Sequence, residues 1–566
     1  MDFRKTFSWL LILALLAAFW GGVFALAKPA LIHKVYAAEE LGEVSWSIEN
    51  GLLTATLEGA GPHQAHIRWD VPTVADMPDL KGFDISFGTA SSDYDILDAY
   101  VVTGSLQPGA NEILVKGLSS TTDYFWKVRA RDSEDNVGSY CAEQTCTSEA
   151  AWTPNGSPTE VDQSDFPLTL VANTHYRLTE NVTVNSGTCM TCSADGATFD
   201  FNGFTITGGQ TGAGRGVHCG GTAGTIDNTR LFDSQGGGGV IMGSQAGCEC
   251  IYIASSRGTG NVIQDIELEY NGLASYCVED DADMGGMRIF NVLFDMNGPD
   301  DSDISNDSGG FASGNGVKVY DSAFDVDSDD DRTYCFSAIN TASEVWECTA
   351  TIDEVTPAST QNHAFYADFG GNGETYMHDI DVTATAHRCR LFLIDGDSSN
   401  KRLLWNTVDM TNVTNDSTAS AFHIRNPGPT NTVNILRDCS IGFCAIELGG
   451  NAEVSFALGA TGNSFSGEGD VSWHDAYFYH NTVNNIAASR QGFLLDKDQD
   501  EVYVWGDTYN KALGFTGLAA GWGTGGNGLV SQDYHFNNIT IVGGGSTHFD
   551  GPASTHTNIN ISGSSD

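Results

Sequence analysis

Lysine and arginine are scarce in this chain. Its 566 residues hold 26 of them against 73 Asp and Glu, giving a net charge of −47, while charged residues reach only 17%. An average soluble protein carries roughly 25% charged residues, so the acidity comes from missing bases more than from surplus acids. Such a field repels polyanions and excludes nucleic acid as a partner class. Proline is sparse at 13, and the 66 glycines follow no collagen-like period. No helical period is sustained, and neither a leucine-rich nor a WD-type consensus occurs. Past the N-terminal segment there is no second apolar run long enough to span a bilayer. What the chain does have is 41% hydrophobic and 10% aromatic residues. That is enough for a packed core, and the glycine content suits many turns between short strands.

The N-terminus starts with MDFRK and continues as an apolar stretch from Phe7 to Ala27. Small-residue cleavage patterns follow at Ala25-Leu26-Ala27 and Val35-Tyr36-Ala37. Residues 1–37 therefore read as a signal peptide or a membrane anchor, both of which place the bulk of the chain outside the cytoplasm. The expected location is extracellular or at the cell surface, and any membrane contact runs through this segment. Thirteen cysteines in an exported chain point to disulfides or buried thiols. A zinc site built from Cys189, Cys192, Cys219, Cys248 and Cys250 would have only His218 as a nearby imidazole.

Residues 40–150 alternate apolar and polar positions between turn clusters. Strands are expected at Leu52–Leu57, His66–Val71, Phe83–Phe87, Ile113–Val115 and Tyr124–Ala130. Tyr124 opens a strand after the turn Leu118-Ser-Ser-Thr-Thr-Asp, like the tyrosine corner of β-sandwiches. With Trp69 in Ile67-Arg-Trp-Asp-Val-Pro, this stretch resembles a fibronectin type III module. Trp69 is then a core residue. The turn-rich residues 151–165 read as a linker.

From residue 166 to 566 a pattern of short apolar strands recurs around small polar anchors. These are Asp265, Asn291, Asp321, Cys348, Asp379, Asn406, Asp438, Asn481, Asp507 and Asn538, spaced 26 to 43 residues apart. A period of 20–50 residues marks a solenoid or propeller. Strands of successive coils stacking about 4.8 Å apart explain it. The anchors themselves read as turn residues bonding the backbone. The segment Phe199-Asp-Phe-Asn-Gly-Phe-Thr-Ile-Thr-Gly208 resembles the opening coils of right-handed parallel β-helix proteins of the pectate-lyase-like superfamily. The expected fold class is all-β: an N-terminal β-sandwich (fibronectin type III-like) followed by a right-handed parallel β-helix solenoid.

A second element repeats at Phe336, Phe365, Phe392, Phe422 and Phe493. If these strands stack, Asp368 and Asp395 become neighbours in adjacent coils, with Asp397 just beyond. Carboxylates at that separation are compatible with a glycosidase pair or with a calcium site. Of the 16 Lys and Arg from residue 166 onward, six fall between 388 and 437: Arg388, Arg390, Lys401, Arg402, Arg425 and Arg437. A local basic patch suits an anionic ligand.

The superfamily resemblance implies an extracellular polysaccharide as partner, acidic if a lyase, and Ca²⁺ as cofactor. It implies Arg390, Arg425 or Lys401 as base, with His423 in the same region, and Asp368, Asp395 and Asp397 as calcium ligands. Arg388, Arg402, Tyr366 and His363 would line the substrate. Arg425-Asn-Pro427 is the only Arg-x-Pro and is followed by Pro429, and the Gly-His-Gly and Arg-Ile-Lys motifs of polygalacturonases are absent. The superfamily also holds non-catalytic adhesins, so cleavage and plain surface binding both stand at this point. The acidic runs at 300–303, 325–331 and 496–501 match no EF-hand loop.

Overall fold

The computed structural model describes residues 63–69, 80–103, 111–119 and most of 121–147, then 152–272 apart from short gaps. Beyond 275 it describes the strands and adjoining turns, and beyond residue 392 it describes backbone alone. The segment 1–37 and the strand expected at Leu52–Leu57 lie outside the described residues. The chain divides into two units, Met1–Thr153 and Pro154–Asp566.

The first unit contains two antiparallel sheets. One pairs His63–Trp69 with Asn111–Leu118. The other runs in the order Leu97–Thr103, Leu80–Gly88, Asp123–Asp132, Gln144–Thr147. Period-two alternation buries Phe83, Ile85 and Phe87 from one strand and Tyr124, Trp126, Val128 and Ala130 from its neighbour. Trp69 is buried and packs edge-on against Phe83, with ring centroids 5.4 Å apart. The Tyr124 hydroxyl accepts a hydrogen bond from the Ser119 backbone N–H at 2.7 Å. The strands Leu97–Thr103 and Gln144–Thr147 were not expected from the sequence, because they carry weak alternation. In the former, Tyr100 and Val101 are both exposed.

The second unit is a parallel β-helix. Three sheets of 15, 14 and 14 strands are ordered by every third strand, apart from the first pair of the 15-stranded sheet, so each coil contributes one strand to each face. Its first strand, Thr159–Val161, pairs in parallel with His175–Leu178. It lies inside the stretch read as linker, because Thr-Glu-Val already has the alternation that a first coil needs.

The first face includes Val262–Gln264, Arg288–Phe290, Lys318–Tyr320 and Glu344–Trp346; the second includes Glu267–Tyr270, Leu293–Asn297, Ala323–Asp327 and Thr349–Asp353. Between these faces the chain turns in two residues, the first of them left-handed: Asp265, Asn291, Asp321, Glu347 and Asp379 have φ between 49° and 58°. Asn and Asp tolerate that conformation best, which is why the sequence anchors are Asp and Asn. The fourth anchor is corrected: Glu347, not Cys348, occupies the turn, and Cys348 is buried in the core. Anchors Asn406, Asp438, Asn481, Asp507 and Asn538 lie outside the described residues.

Ladders of like residues fill the interior. Phe294 stacks on Phe324 at 4.6 Å with the rings 5° from parallel, and Phe365 stacks on Phe392 at 5.2 Å. The nine described cysteines are all buried free thiols, so the described residues form none of the disulfides expected of an exported chain. Cys250 donates to the Glu269 carbonyl at 3.2 Å, and Cys277, one coil on, repeats the contact with the Asp295 carbonyl at 3.6 Å. Glu269 and Asp295 are themselves in register. These two thiols each satisfy a carbonyl of the neighbouring face, and burial pushes Cys189 and Cys348 up to about 12, which keeps them protonated.

Candidate functional site

The third face starts with Leu168–Thr169 and Met190–Thr191 and continues through Arg215–Cys219, Glu249–Ile253, Tyr276–Asp280, Asp307–Ser313, Arg332–Ile339, His363–Asp368, Arg390–Asp395 and Ser420–Ile424 to further strands. Its register is fixed by a phenylalanine row. Phe311, Phe336, Phe365, Phe392, Phe422, Phe456 and Phe493 align strand by strand. The same register pairs Asp368 with Asp395. Tyr366 pairs with Leu393, which pairs with His423. His363 pairs with Tyr334 on the preceding strand.

Arg390 pairs with Ser420 and stands two places before Phe392, on its row, whereas Asp395 stands three places after Phe392. Lys401 and Arg402 are not on this face. They open a strand of the first face, beside Thr375 and Tyr376. Arg437 closes the next strand of that face, paired with Leu404. The basic residues between 388 and 437 are thus divided between two faces, because a coil of about thirty residues carries each successive strand round a corner. Arg388, Asp397 and Arg425 lie outside the described residues.

A constellation that sequence reading did not find stands on the same face, several coils earlier. Arg215 Nε donates to Glu249 at 3.1 Å, and its guanidinium lies 3.4 Å from the centroid of the Tyr252 ring. The His218 ring is 5.6 Å from Tyr252. Tyr252 is in register with Glu279 on the next strand. Burial raises Glu249 above the usual carboxylate range against the opposing pull of Arg215. The residues come from three coils, and only the register brings them together.

Acidic groups also line the second face. Glu269, Asp295 and Asp325 follow one another in register. Among the described residues, Glu267, Glu269 and Asp295 bring oxygen atoms within 4.8 Å of one another, and no cysteine group does so, which leaves the zinc reading without support there. Burial, then Glu269, Asp325 and Glu267, raise Asp295. A carboxyl raised on folding contributes stability fully below its unfolded value, about 3.9 for Asp, and loses that contribution as pH rises through the folded value. Ionised Asp295 therefore costs stability at neutral pH. Asp295→Asn is expected to raise the urea midpoint at about pH 7 and leave it unchanged at about pH 3. An equal shift at both values would contradict the charge argument. A groove of about 480 Å³ runs along the corner of the first two faces past Asp265, Asn291, Asp321 and Glu347. Its charge is the wrong sign for a polyuronate.

The all-β fold with a parallel β-helix thus defines the class of protein. No family model and no curated protein matches the chain. Among solved structures, a family 28 exopolygalacturonase of Yersinia enterocolitica aligns at 11% identity and a TM-score of 0.30, covering 88% of this chain and 96% of its own. A pectate lyase of Pectobacterium carotovorum aligns at 11% identity and a TM-score of 0.15, over 62% and 89% respectively. A pectate lyase of Erwinia chrysanthemi, solved with tetragalacturonic acid, aligns at 9% identity and a TM-score of 0.14, over 68% and 88%.

Proposed function

We propose that this is an exported, extracellular or cell-surface protein that binds extracellular polysaccharide along the third face of a right-handed β-helix and cleaves it there. The observation that carries this reading is the pairing of Asp368 with Asp395 on neighbouring strands, with the Tyr366–Leu393–His423 row beside them. Strand neighbours are about 4.8 Å apart, a spacing that suits two carboxylates acting on one sugar or sharing one Ca²⁺. Carboxylate oxygens are the ligand type that calcium takes, and Asp397 follows Asp395 by two places in the sequence. Of the basic residues between 388 and 437, Arg390 is the one on a described strand of this face, at a position of the Phe392 row and not of the Asp395 row. The first unit is, in the same reading, a fibronectin type III-like spacer, supported by its two antiparallel sheets and the Tyr124–Ser119 bond.

The test is incubation of the protein lacking residues 1–37 with acidic and neutral polysaccharides, with and without Ca²⁺. Unsaturated-uronate absorbance that requires Ca²⁺ and falls at least about a hundredfold in Arg390→Ala would establish elimination. New reducing ends without absorbance, lost in Asp368→Asn or Asp395→Asn, would establish hydrolysis. Binding without turnover on a broad panel would leave an adhesin, and absence of binding by folded protein would overturn the reading.

A further inference from the structure

The groove at the corner of the first two faces belongs to other sheets than the one that carries Asp368 and Asp395. It has a volume of about 480 Å³ and runs from the turn at Gly236 and Gly237 past the coils that follow. One wall is the corner row of Asp265, Asn291, Asp321 and Glu347. The other is the row of Glu267, Leu293, Ala323 and Thr349, which strand pairing puts in register. Asp265, Glu267, Asp321 and Glu347 give the lining its carboxylates, and it holds no lysine, arginine or histidine. The strands Glu267–Tyr270, Leu293–Asn297, Ala323–Asp327 and Thr349–Asp353 likewise have acids as their only charged residues. Arg288 and Lys318 stand at the opposite ends of their first-face strands, away from the corner, and Lys318 is held by Glu344 at 3.0 Å. Asp265 accepts from Asn291 Nδ2 at 2.7 Å and from Gln264 Nε2 at 2.6 Å, while Asp321 is exposed. Beside the groove, Glu269 and Asp295 bring further oxygen atoms within 4.8 Å of Glu267.

A groove lined by one sign of charge concentrates ligands of the other, so its complement is a linear cation. The repeat decides which kind. Successive coils stand about 4.8 Å apart, whereas an extended peptide turns side chains to one side only every ~6.6 Å. A row of lysines would therefore fall out of step with the coils. A sugar ring in an extended chain advances by about one coil spacing and stays in step. Half-buried Leu293 and Ala323 offer apolar surface to the C–H face of a ring. Carboxylates accept hydrogen bonds from hydroxyl and ammonium groups alike. We infer that this groove binds an amine-bearing polysaccharide, with the sugar chain lying along the stacking direction of the coils and its ammonium groups against Asp265, Glu267, Asp321 and Glu347. The inference rests on the polysaccharide reading above for the class of ligand, and it adds a second binding surface on other faces of the β-helix.

The experiment is calorimetric titration of the full chain with a β-linked glucosamine oligomer at about pH 5.5, above the ordinary carboxylate values of about 4. The fully N-acetylated oligomer, a polyuronate and an oligolysine of equal charge are titrated in parallel. The glucosamine oligomer is expected to bind, and the N-acetylated form to bind at least about tenfold more weakly, having lost its charge-assisted hydrogen bonds. The double variant Asp321→Asn, Glu267→Gln should lose at least about tenfold in affinity for the glucosamine oligomer without weaker binding of polyuronate. Asn suits the left-handed corner position, and circular dichroism checks that the variant is folded. Glu160→Gln, which removes an exposed charge from the first coil, should bind as the wild type does and so separates the groove from net charge. Equal affinity for the N-acetylated oligomer overturns the charge argument. Oligolysine bound as tightly overturns the sugar class, and undiminished affinity in the double variant overturns the groove. Polyuronate binding without glucosamine binding overturns this inference and leaves the third-face reading standing. Glucosamine binding with no acidic or neutral polysaccharide bound overturns the third-face reading alone.

Discussion

Asp84→Ala is expected to destabilise the N-terminal unit by about 3–5 kcal/mol, the usual cost of stranding the partners of a buried charge. Asp84 has no solvent exposure. It accepts from Arg129 Nε at 2.9 Å and from Arg131 Nε and Nη2 at 2.7 and 2.9 Å. Arg129 and Arg131 sit two residues apart on the strand Asp123–Asp132, next to Leu80–Gly88. Removing the carboxylate leaves two guanidinium groups of like charge side by side, with only the exposed Asp135 still beside Arg131. Asp84→Asn keeps an acceptor but not the charge and should lose less. Replacing both arginines by methionine in the Asp84→Ala background should recover much of the loss, since an apolar substitute for a buried ion pair is often neutral. The readout is the first unit's urea transition, followed by the fluorescence of Trp69 and Trp126. A loss below about 1 kcal/mol would show that the contact behaves as a surface ion pair.

In the β-helix the largest single effect is expected at Phe324. It is almost wholly buried, stacks on Phe294 in the preceding coil and meets Phe365 edge-on at 5.8 Å. Truncation to alanine removes contacts to two other strands and opens a cavity that a closely stacked coil cannot collapse to fill. The expected loss is about 3–5 kcal/mol by equilibrium urea unfolding. In a solenoid each coil is stabilised chiefly by its neighbours, so the damage should be local. Hydrogen exchange should quicken in the strands Leu293–Asn297, Ala323–Asp327 and Thr349–Asp353 and not in His175–Leu178. Uniform acceleration along the β-helix would contradict nearest-neighbour stabilisation. Phe324→Leu, which refills most of the volume, should lose less than half as much.

Part of the architecture is legible in the sequence because it repeats at the level of single residues. The phenylalanines 336, 365, 392, 422 and 493 identify one face and its register, and with them the pairing of Asp368 with Asp395. Phe311 and Phe456 belong to the same row and escape notice, since Gly309 and Gly310 precede the first and a long coil precedes the second. The Asp and Asn anchors mark the corner between the first two faces, because a left-handed turn residue is needed there in every described coil from Asp265 to Asp379. Glu347 breaks the pattern: the turn tolerates a less favourable residue when strands on both sides are held by buried Val345, Trp346 and Ala350.

The sequence by itself determined the class of fold, the approximate coil length and which residues mark the corners, since each follows from local chemistry repeated along the chain. It also determined the shortage of basic charge. The tertiary structure alone decided which chemical groups meet. Arg215 and Glu249 lie in neighbouring coils, and no local pattern links them. Lys401 and Arg402, close in sequence to Arg390, are carried to another face. Among the described residues the cysteines are thiols and not disulfides, and Cys250 and Cys277 meet carbonyls of the second face, a contact that repeats from one coil to the next. The physical reason is common to these cases. Coils differ in loop length, so spacing along the chain does not fix position. Burial of the apolar ladders fixes the register, and the register then brings together whatever polar residues stand beside them.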